Sequence, residues 1–238
     1  MTSPFFTTTV QICRSCGGGA PVDVHFCPQC TKILSLGRHG DYFAFLGVPR
    51  KLRLDAAELE QKFRAFSRQF HPDYFYNATP AERLASLERS SYLNDAYRTL
   101  KHPMARLEYL LELEGFGGAS ARSARDAAGG AVNHVPPSLL EEVFELNEEL
   151  DAIRELRAEG ASAAEWRSRL EHARGPIEAK RAEHERRLEA LSAEWDALVD
   201  RGAHDEDRRV VLAALGERML ERNYINNLLA AIESELTQ

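Results

Sequence analysis

Two helix-forming segments on either side of His71-Pro72-Asp73 constrain the fold of this chain more than any other feature. In the first segment, residues 55–70, apolar side chains recur at helical spacing and form one stripe. These side chains are Leu59, Phe63, Phe66 and Phe70. Pro72 cannot continue that helix and favours extended geometry at His71. The pattern therefore predicts an antiparallel helical hairpin with His71, Pro72 and Asp73 at its exposed tip.

The second segment begins with residues that suit the start of a helix. Thr79 is a good N-cap, and Pro80 suits the first helical position. The helix is expected to end near Leu100. Its expected apolar face consists of Leu84, Leu87, Tyr92, Leu93, Ala96, Tyr97 and Leu100.

Basic side chains follow the outer stripe and the flank of the first helix. They are Lys62, Arg64 and Arg68. No acidic residue lies between Gln61 and Pro72, so the end of this helix is expected to present unopposed positive charge beside the tip. Asp55 is the expected N-cap of the same helix.

The chain's formal net charge of −7 is unevenly distributed. Residues 1–40 carry a net charge of +2, residues 41–116 are neutral, and residues 117–238 carry −9. Nucleic-acid binding requires a net basic surface, so a nucleic-acid partner is not expected. No apolar run approaches the roughly 20 residues of a membrane helix. The first residues also lack the basic region and apolar core of a secretory signal, so we expect a cytoplasmic protein without a membrane partner.

All four cysteines lie within the first 30 residues, as Cys13-x-x-Cys16 and Cys27-x-x-Cys30. Two such pairs can present four thiolates to one tetrahedral ion, which predicts a zinc-ribbon-like head over residues 1–36 with one structural zinc ion. An iron–sulfur cluster would accept the same four thiolates. Two disulfides are a weaker alternative because a cytoplasmic compartment disfavours them. A redox-active dithiol is weaker still, since two symmetric pairs suit a single ion better.

Within this head, Val22, Val24 and Phe26 alternate with polar residues, which predicts a short strand leading to the second cysteine pair. His25 lies in the same segment. Because four cysteines already complete a metal site, we expect His25 to be a surface residue of that strand.

The rest of the chain reads as helices and one loop. Pro103 is expected to start an extra helix that completes a domain over residues 41–116. Residues 117–135, rich in Gly, Ala, Ser and Arg, read as a flexible loop. Residues 136–238 carry three amphipathic patterns, which end near Gly160, Val199 and Leu236 and predict a three-helix bundle. Gly175-Pro176 is expected to kink the second of these helices or to divide it.

The hairpin and its flanks resemble a J-domain, the module that stimulates ATP hydrolysis by DnaK-type chaperones. The resemblance rests on Asp41-Tyr42-Phe43-Ala44-Phe45-Leu46-Gly47-Val48-Pro49, on His71-Pro72-Asp73 and on Leu93-Asn94-Asp95-Ala96-Tyr97-Arg98-Thr99-Leu100. Two further stretches, residues 102–111 and 144–151, make the chain similar to the HscB-type J-protein co-chaperones of iron–sulfur cluster biogenesis. Some members of that family carry a tetracysteine zinc ribbon. The resemblance implies a mainly α fold in which the J-domain and the helical bundle form an L.

The resemblance also implies two partners. A HscA- or DnaK-type ATPase should dock on His71, Pro72 and Asp73 and on the basic face of Lys62, Arg64 and Arg68. An IscU-type scaffold, on which clusters are assembled, should bind the tail. The implied scaffold-binding positions are Leu140, Phe144, Glu145, Glu148 and Tyr224.

Independently of the resemblance, Leu140 and Phe144 are i, i+4 neighbours on a helix, with Glu145 and Glu148 beside them. This is an apolar patch with an acidic edge, suited to a protein partner; the alternative is that both apolar residues are core. A general J-protein whose tail dimerises or binds another client is a second hypothesis. A metal enzyme is disfavoured, because four cysteines leave no open coordination position and no nucleophile–base pair is evident.

Overall fold

The structure is a computed structural model that describes residues 10–36, 41–116 and 139–237. It is mainly helical with a small strand-containing region at the cysteines, as the sequence predicts. The chain divides into two compact units, with the boundary between Tyr109 and Leu110. The loop expected at 117–135 lies outside the described residues. In chain order, the elements are β1 (Val10–Ile12), β2 (Gly19–Pro21), α1 (Tyr42–Leu46), α2 (Ala56–Phe70), a 3-10 turn (Pro72–Phe75), α3 (Pro80–Lys101), α4 (Pro103–Leu113), α5 (Leu140–Ala158), α6 (Ala163–Asp200) and α7 (Asp205–Leu236).

The N-terminal ribbon, residues 10–36, is built from two loops that each carry one cysteine pair. β1 pairs with β2 in an antiparallel register that places Gln11 opposite Ala20. A single bridge between Phe26 and Ile33 closes the second loop. The strand expected through residues 22–26 is therefore wrong. The chain turns directly after β2 to bring the second cysteine pair back to the first, and this turn occupies those positions.

The hairpin forms where the sequence predicts it, because its capping signals are local. The Asp55 carboxylate accepts from the backbone N–H of Ala57 and caps α2. Thr79 and Glu82 form a reciprocal capping box at the start of α3, with Pro80 in the first position. The short 3-10 turn joins the two helices.

The predicted apolar face of α3 is wrong for its first two turns. Leu84 and Leu87 are each about half exposed, whereas Ala85, Ser86 and Arg89 are buried. The reason is geometric: at about 100° per residue, Leu84 lies on the opposite side of the helix from Leu93, which is a core residue.

The second unit contains the three long helices of the predicted bundle, α5 to α7. α6 continues through Gly175 and Pro176, so the helix is not divided there. The apolar core of the bundle is formed by Leu139, Leu146, Leu150, Ile153, Trp166, Leu170, Ile177, Ile225 and Ile232. Within the described part of the chain, no helix is both long and apolar enough to cross a membrane.

Candidate docking tip, metal site and helical patch

The turn after α2 presents its polar side chains to solvent. The backbone N–H of Asp73 donates to Nδ1 of His71 at 3.3 Å, which fixes the local turn. About half of the His71 side chain and 87% of the Asp73 side chain are exposed. The turn is held on α3 because the carbonyl of Phe70 accepts from the hydroxyls of Ser86, at 2.6 Å, and Ser90, at 3.0 Å. The tip is thus both accessible and held in a defined conformation.

The basic residues of α2 are not equivalent. Lys62 donates to the carbonyl of Gly47 at 2.8 Å and lies 3.6 Å from the Glu58 carboxylate. Arg64 pairs with Glu60 at 2.6 Å. The expectation of unopposed charge is therefore wrong for these two, since acids one turn earlier pair with them. Among the described residues, Arg68 makes no ion pair, so the free positive charge is next to the tip.

A shallow groove of about 520 Å³ adjoins the tip, and it was not predicted from the sequence. Its lining residues are Pro72, Asp73, Tyr76, Asn77, Arg83 and Leu87. Tyr76 and Leu87 expose large apolar surfaces there. At about 100° per residue, Leu87 lies about 120° away from Leu93 around the helix. This angle can be worked out from the sequence and indicates that Leu87 is outside the core.

The four cysteines converge on one point. Their sulfur atoms all lie within 4.8 Å of one another. Cys13 Sγ is 3.6 Å from Cys30 Sγ, and Cys16 Sγ is 3.7 Å from Cys27 Sγ. A tetrahedral zinc ion with Zn–S bonds of about 2.3 Å places its sulfur ligands about 3.8 Å apart. All four thiols are free, and the sulfur separations far exceed the roughly 2.05 Å of a disulfide.

Backbone N–H groups around the cysteines favour thiolates, the form that binds metal. Backbone N–H groups of Cys16 and Ser15 lower the pKa of Cys13. The N–H groups of Cys30 and Gln29 likewise lower the pKa of Cys27 to about 7. At Cys16 the N–H of Gly18 acts in the same direction, but the neighbouring thiols raise the pKa of Cys16 to about 12. Gly17 allows the first loop to turn, because its φ of +73° is a left-handed conformation that side chains disfavour. The donor set therefore fits one tetrahedral ion.

His25 is not the surface strand residue that the sequence suggests. Its Nε2 lies 3.2 Å from the carbonyl of Phe45, and its Nδ1 lies 2.7 Å from a guanidinium nitrogen of Arg89. The ring also makes edge contacts with the rings of Phe66 and Phe70. His25 thus joins the ribbon to the hairpin, a contact between residues 64 positions apart that no local pattern indicates.

The predicted scaffold-binding residues on α5 reach the surface. Leu140 is exposed, Phe144 is 66% exposed, and Glu148 lies on the same face. Both apolar residues are therefore outside the core. Glu145 points elsewhere: it lines a groove of about 590 Å³ between α5 and α6, together with Glu149, Arg169, His172 and Pro176.

Tyr224 differs from the other four predicted residues. It lies on α7, is partly buried, and packs against the core of the bundle. Burial raises the pKa of its hydroxyl. The ring of Tyr224 therefore contributes to packing within the bundle, although part of the side chain is exposed.

The fold, a cysteine ribbon with a J-domain-like hairpin and a separate helical bundle, is similar to that of solved structures. The crystal structure of the human co-chaperone protein HscB is 24% identical in sequence, with a TM-score of 0.57; the match covers 94% of this chain and 98% of that one. Chaperone HscB from Vibrio cholerae is 25% identical, with a TM-score of 0.46, over 82% of this chain and 96% of its own. No family model matches the sequence. The expected HscB-like fold is thus confirmed.

Proposed function

We propose that this chain is a J-type co-chaperone that docks on a HscA- or DnaK-type ATPase and stimulates its ATP hydrolysis. The observation that carries the proposal is the exposed His71-Pro72-Asp73 tip, held between two capped helices. A tip with a fixed backbone loses little conformational freedom on binding. The unpaired charge of Arg68 beside it suits an acidic surface on the ATPase.

Single-turnover ATP hydrolysis by a DnaK-type chaperone, with and without this protein, tests the proposal. His71→Gln should reduce stimulation to the level of the ATPase alone, because the tip loses the ring that orients Asp73. His102→Gln is the matched control, since His102 is also exposed but lies at the far end of α3. Full stimulation by His71→Gln would refute the docking role of the tip.

The second part of the proposal is that α5 binds an IscU-type iron–sulfur scaffold, so that the protein delivers this client to the ATPase and aids cluster assembly and transfer. Leu140 and Phe144 offer apolar anchors, and Glu148 offers a charge that fixes orientation. Glu145 and Tyr224 stay predicted scaffold-binding residues, although Glu145 lines the groove between α5 and α6 and Tyr224 packs against the core of the bundle.

Binding of a purified scaffold protein measures this part directly. Phe144→Ala and Glu148→Lys should each weaken binding at least about tenfold, which corresponds to roughly 1.4 kcal/mol. Val210→Ala is the control, because Val210 is an equally exposed apolar residue on α7. A protein that stimulates the ATPase and binds no scaffold, or that dimerises through Phe144, would instead fit a general J-protein.

The four cysteines are proposed to hold one structural zinc ion. Such an ion supplies folding free energy to the ribbon and no reaction chemistry, because all four coordination positions are filled. Elemental analysis of the purified protein identifies the metal, and visible absorption would reveal an iron–sulfur cluster instead. In this proposal the protein is a cytoplasmic adaptor without catalysis of its own.

A further inference from the structure

Arg89, in the middle of α3, connects the hairpin to the ribbon. Its side chain is 0% exposed. Each of its three guanidinium nitrogens donates to a ribbon group: Nε to the carbonyl of Leu34 at 2.8 Å, one terminal nitrogen to the carbonyl of Ser35 at 3.1 Å, and the other to Nδ1 of His25 at 2.7 Å. Hydrogen bonds from a charged donor in a buried place are among the stronger ones in proteins.

His25 completes the connection from the ribbon side. A guanidinium only donates, so Nδ1 of His25 accepts, and its Nε2–H then donates to the carbonyl of Phe45. The ring packs edge-on against Phe70, with 5.0 Å between centroids. Phe70 is the last residue of α2 and directly precedes the tip. The ribbon therefore contacts the last residue of α2, which leads directly into the tip.

The ribbon has almost no core of its own. Its buried cluster is Cys13, Ala20, Cys27 and Leu34, so two of its four members are candidate metal ligands. So small a cluster does not order a segment in water, and the metal supplies the folding free energy. Removing the metal should release the partners of Arg89 together with the ring of His25.

We infer that metal binding in the ribbon and order at the docking tip are coupled, with Arg89 and His25 as the positioning residues that connect them. Coupling of this kind is reciprocal: contacts that hold the ribbon on the hairpin raise its metal affinity, and bound metal orders the tip. The inference rests on the proposed metal site and does not depend on the proposed partners.

Zinc competition on the full-length protein tests one direction of the coupling. Arg89→Met keeps the length of the side chain and removes its donors. It should release zinc at a chelator concentration about tenfold lower than the unaltered protein, a factor typical of coupled sites. Arg98→Met is the control, because Arg98 is exposed on the same helix and pairs only locally with Asp95. His25→Phe keeps a ring against Phe70 and loses both nitrogens, and it should resemble Arg89→Met.

Amide hydrogen exchange tests the other direction. Removing zinc from the unaltered protein should accelerate exchange at residues 68–76 by about tenfold and leave residues 205–236 unchanged. The inference is overturned by exchange at the tip that ignores zinc, or by unaltered zinc affinity in both Arg89→Met and His25→Phe. A protein that takes up no zinc also overturns it. If Arg89→Met does not fold, His25→Phe decides. Since no ATPase is present, failure here is distinct from failure of the His71→Gln test.

Discussion

Arg157 joins all three helices of the bundle, and its removal gives a quantitative test of the fold. It lies in the last turn of α5, and its guanidinium carbon is 3.9 Å from the ring centroid of Trp166 at the start of α6. It donates to the carboxylate of Glu235 at 2.8 Å and to the carbonyl of the same residue at 2.6 Å, at the end of α7. We expect Arg157→Ala to loosen this end of the bundle.

The magnitude follows from these contacts. Stacking of a partly desolvated cation on tryptophan contributes about 1 kcal/mol. The two hydrogen bonds add about 1–2 kcal/mol, a value reduced because 23% of the side chain remains in water. Arg157→Ala should therefore lower the free energy of unfolding of the bundle by about 2–3 kcal/mol. Arg157→Lys keeps the positive charge but lacks the planar guanidinium. Its free energy of unfolding should therefore lie between those of the unaltered protein and Arg157→Ala.

Tryptophan fluorescence during urea unfolding is a selective assay. The chain has 2 tryptophans, Trp166 and Trp195, and both lie on α6 in the second unit. Arg154→Ala is the matched control: Arg154 is 60% exposed and reaches Glu235 only at 3.4 Å, so its loss should cost less than about 0.5 kcal/mol. Equal effects of the two alanine variants, or full stability of Arg157→Lys, would refute the reasoning.

Two further predictions concern the bundle. Leu146→Ala removes a core side chain and should lower the free energy of unfolding by about 2–5 kcal/mol. In the same urea assay Phe144→Ala, two positions away on the exposed face, should lower it by about 0.5 kcal/mol or less. Comparable losses in the two variants would contradict the assigned faces of α5. His184 is buried against α7, 3.4 Å from the Glu221 carboxylate, and burial lowers its pKa. The unfolded chain therefore takes up the proton first, so stability should fall as pH drops through about 6.5, the ordinary pKa of histidine. His184→Leu should lose less stability than the unaltered protein between about pH 7.5 and about pH 5.5, and identical pH dependence in both would contradict this assignment.

The sequence predicted those features that depend on near neighbours. The helix starts at Asp55 and Thr79 are correct because a capping side chain bonds to backbone only two or three residues away. The predicted cysteine cluster is correct because two Cys-x-x-Cys pairs have the spacing that the four ligands of one tetrahedral ion require.

The features that the sequence did not reveal arise from packing between distant segments. His25 and Arg89 are 64 residues apart, and nothing local distinguishes Arg89 from an exposed arginine. The exposure of Leu84 and Leu87, by contrast, follows from the turn of about 100° per residue along α3, which a count of apolar residues does not reveal. The direction of Glu145 likewise depends on the neighbouring α6.

Pro176 has a consequence for the groove between α5 and α6. Proline has no amide hydrogen, so the carbonyl of His172, one turn earlier, lacks the donor that every regular helical turn provides. Both residues line the groove. Bending α6 at this turn therefore breaks one hydrogen bond fewer than bending it elsewhere. Such a bend would change the width of the groove and leave the two ends of α6 helical.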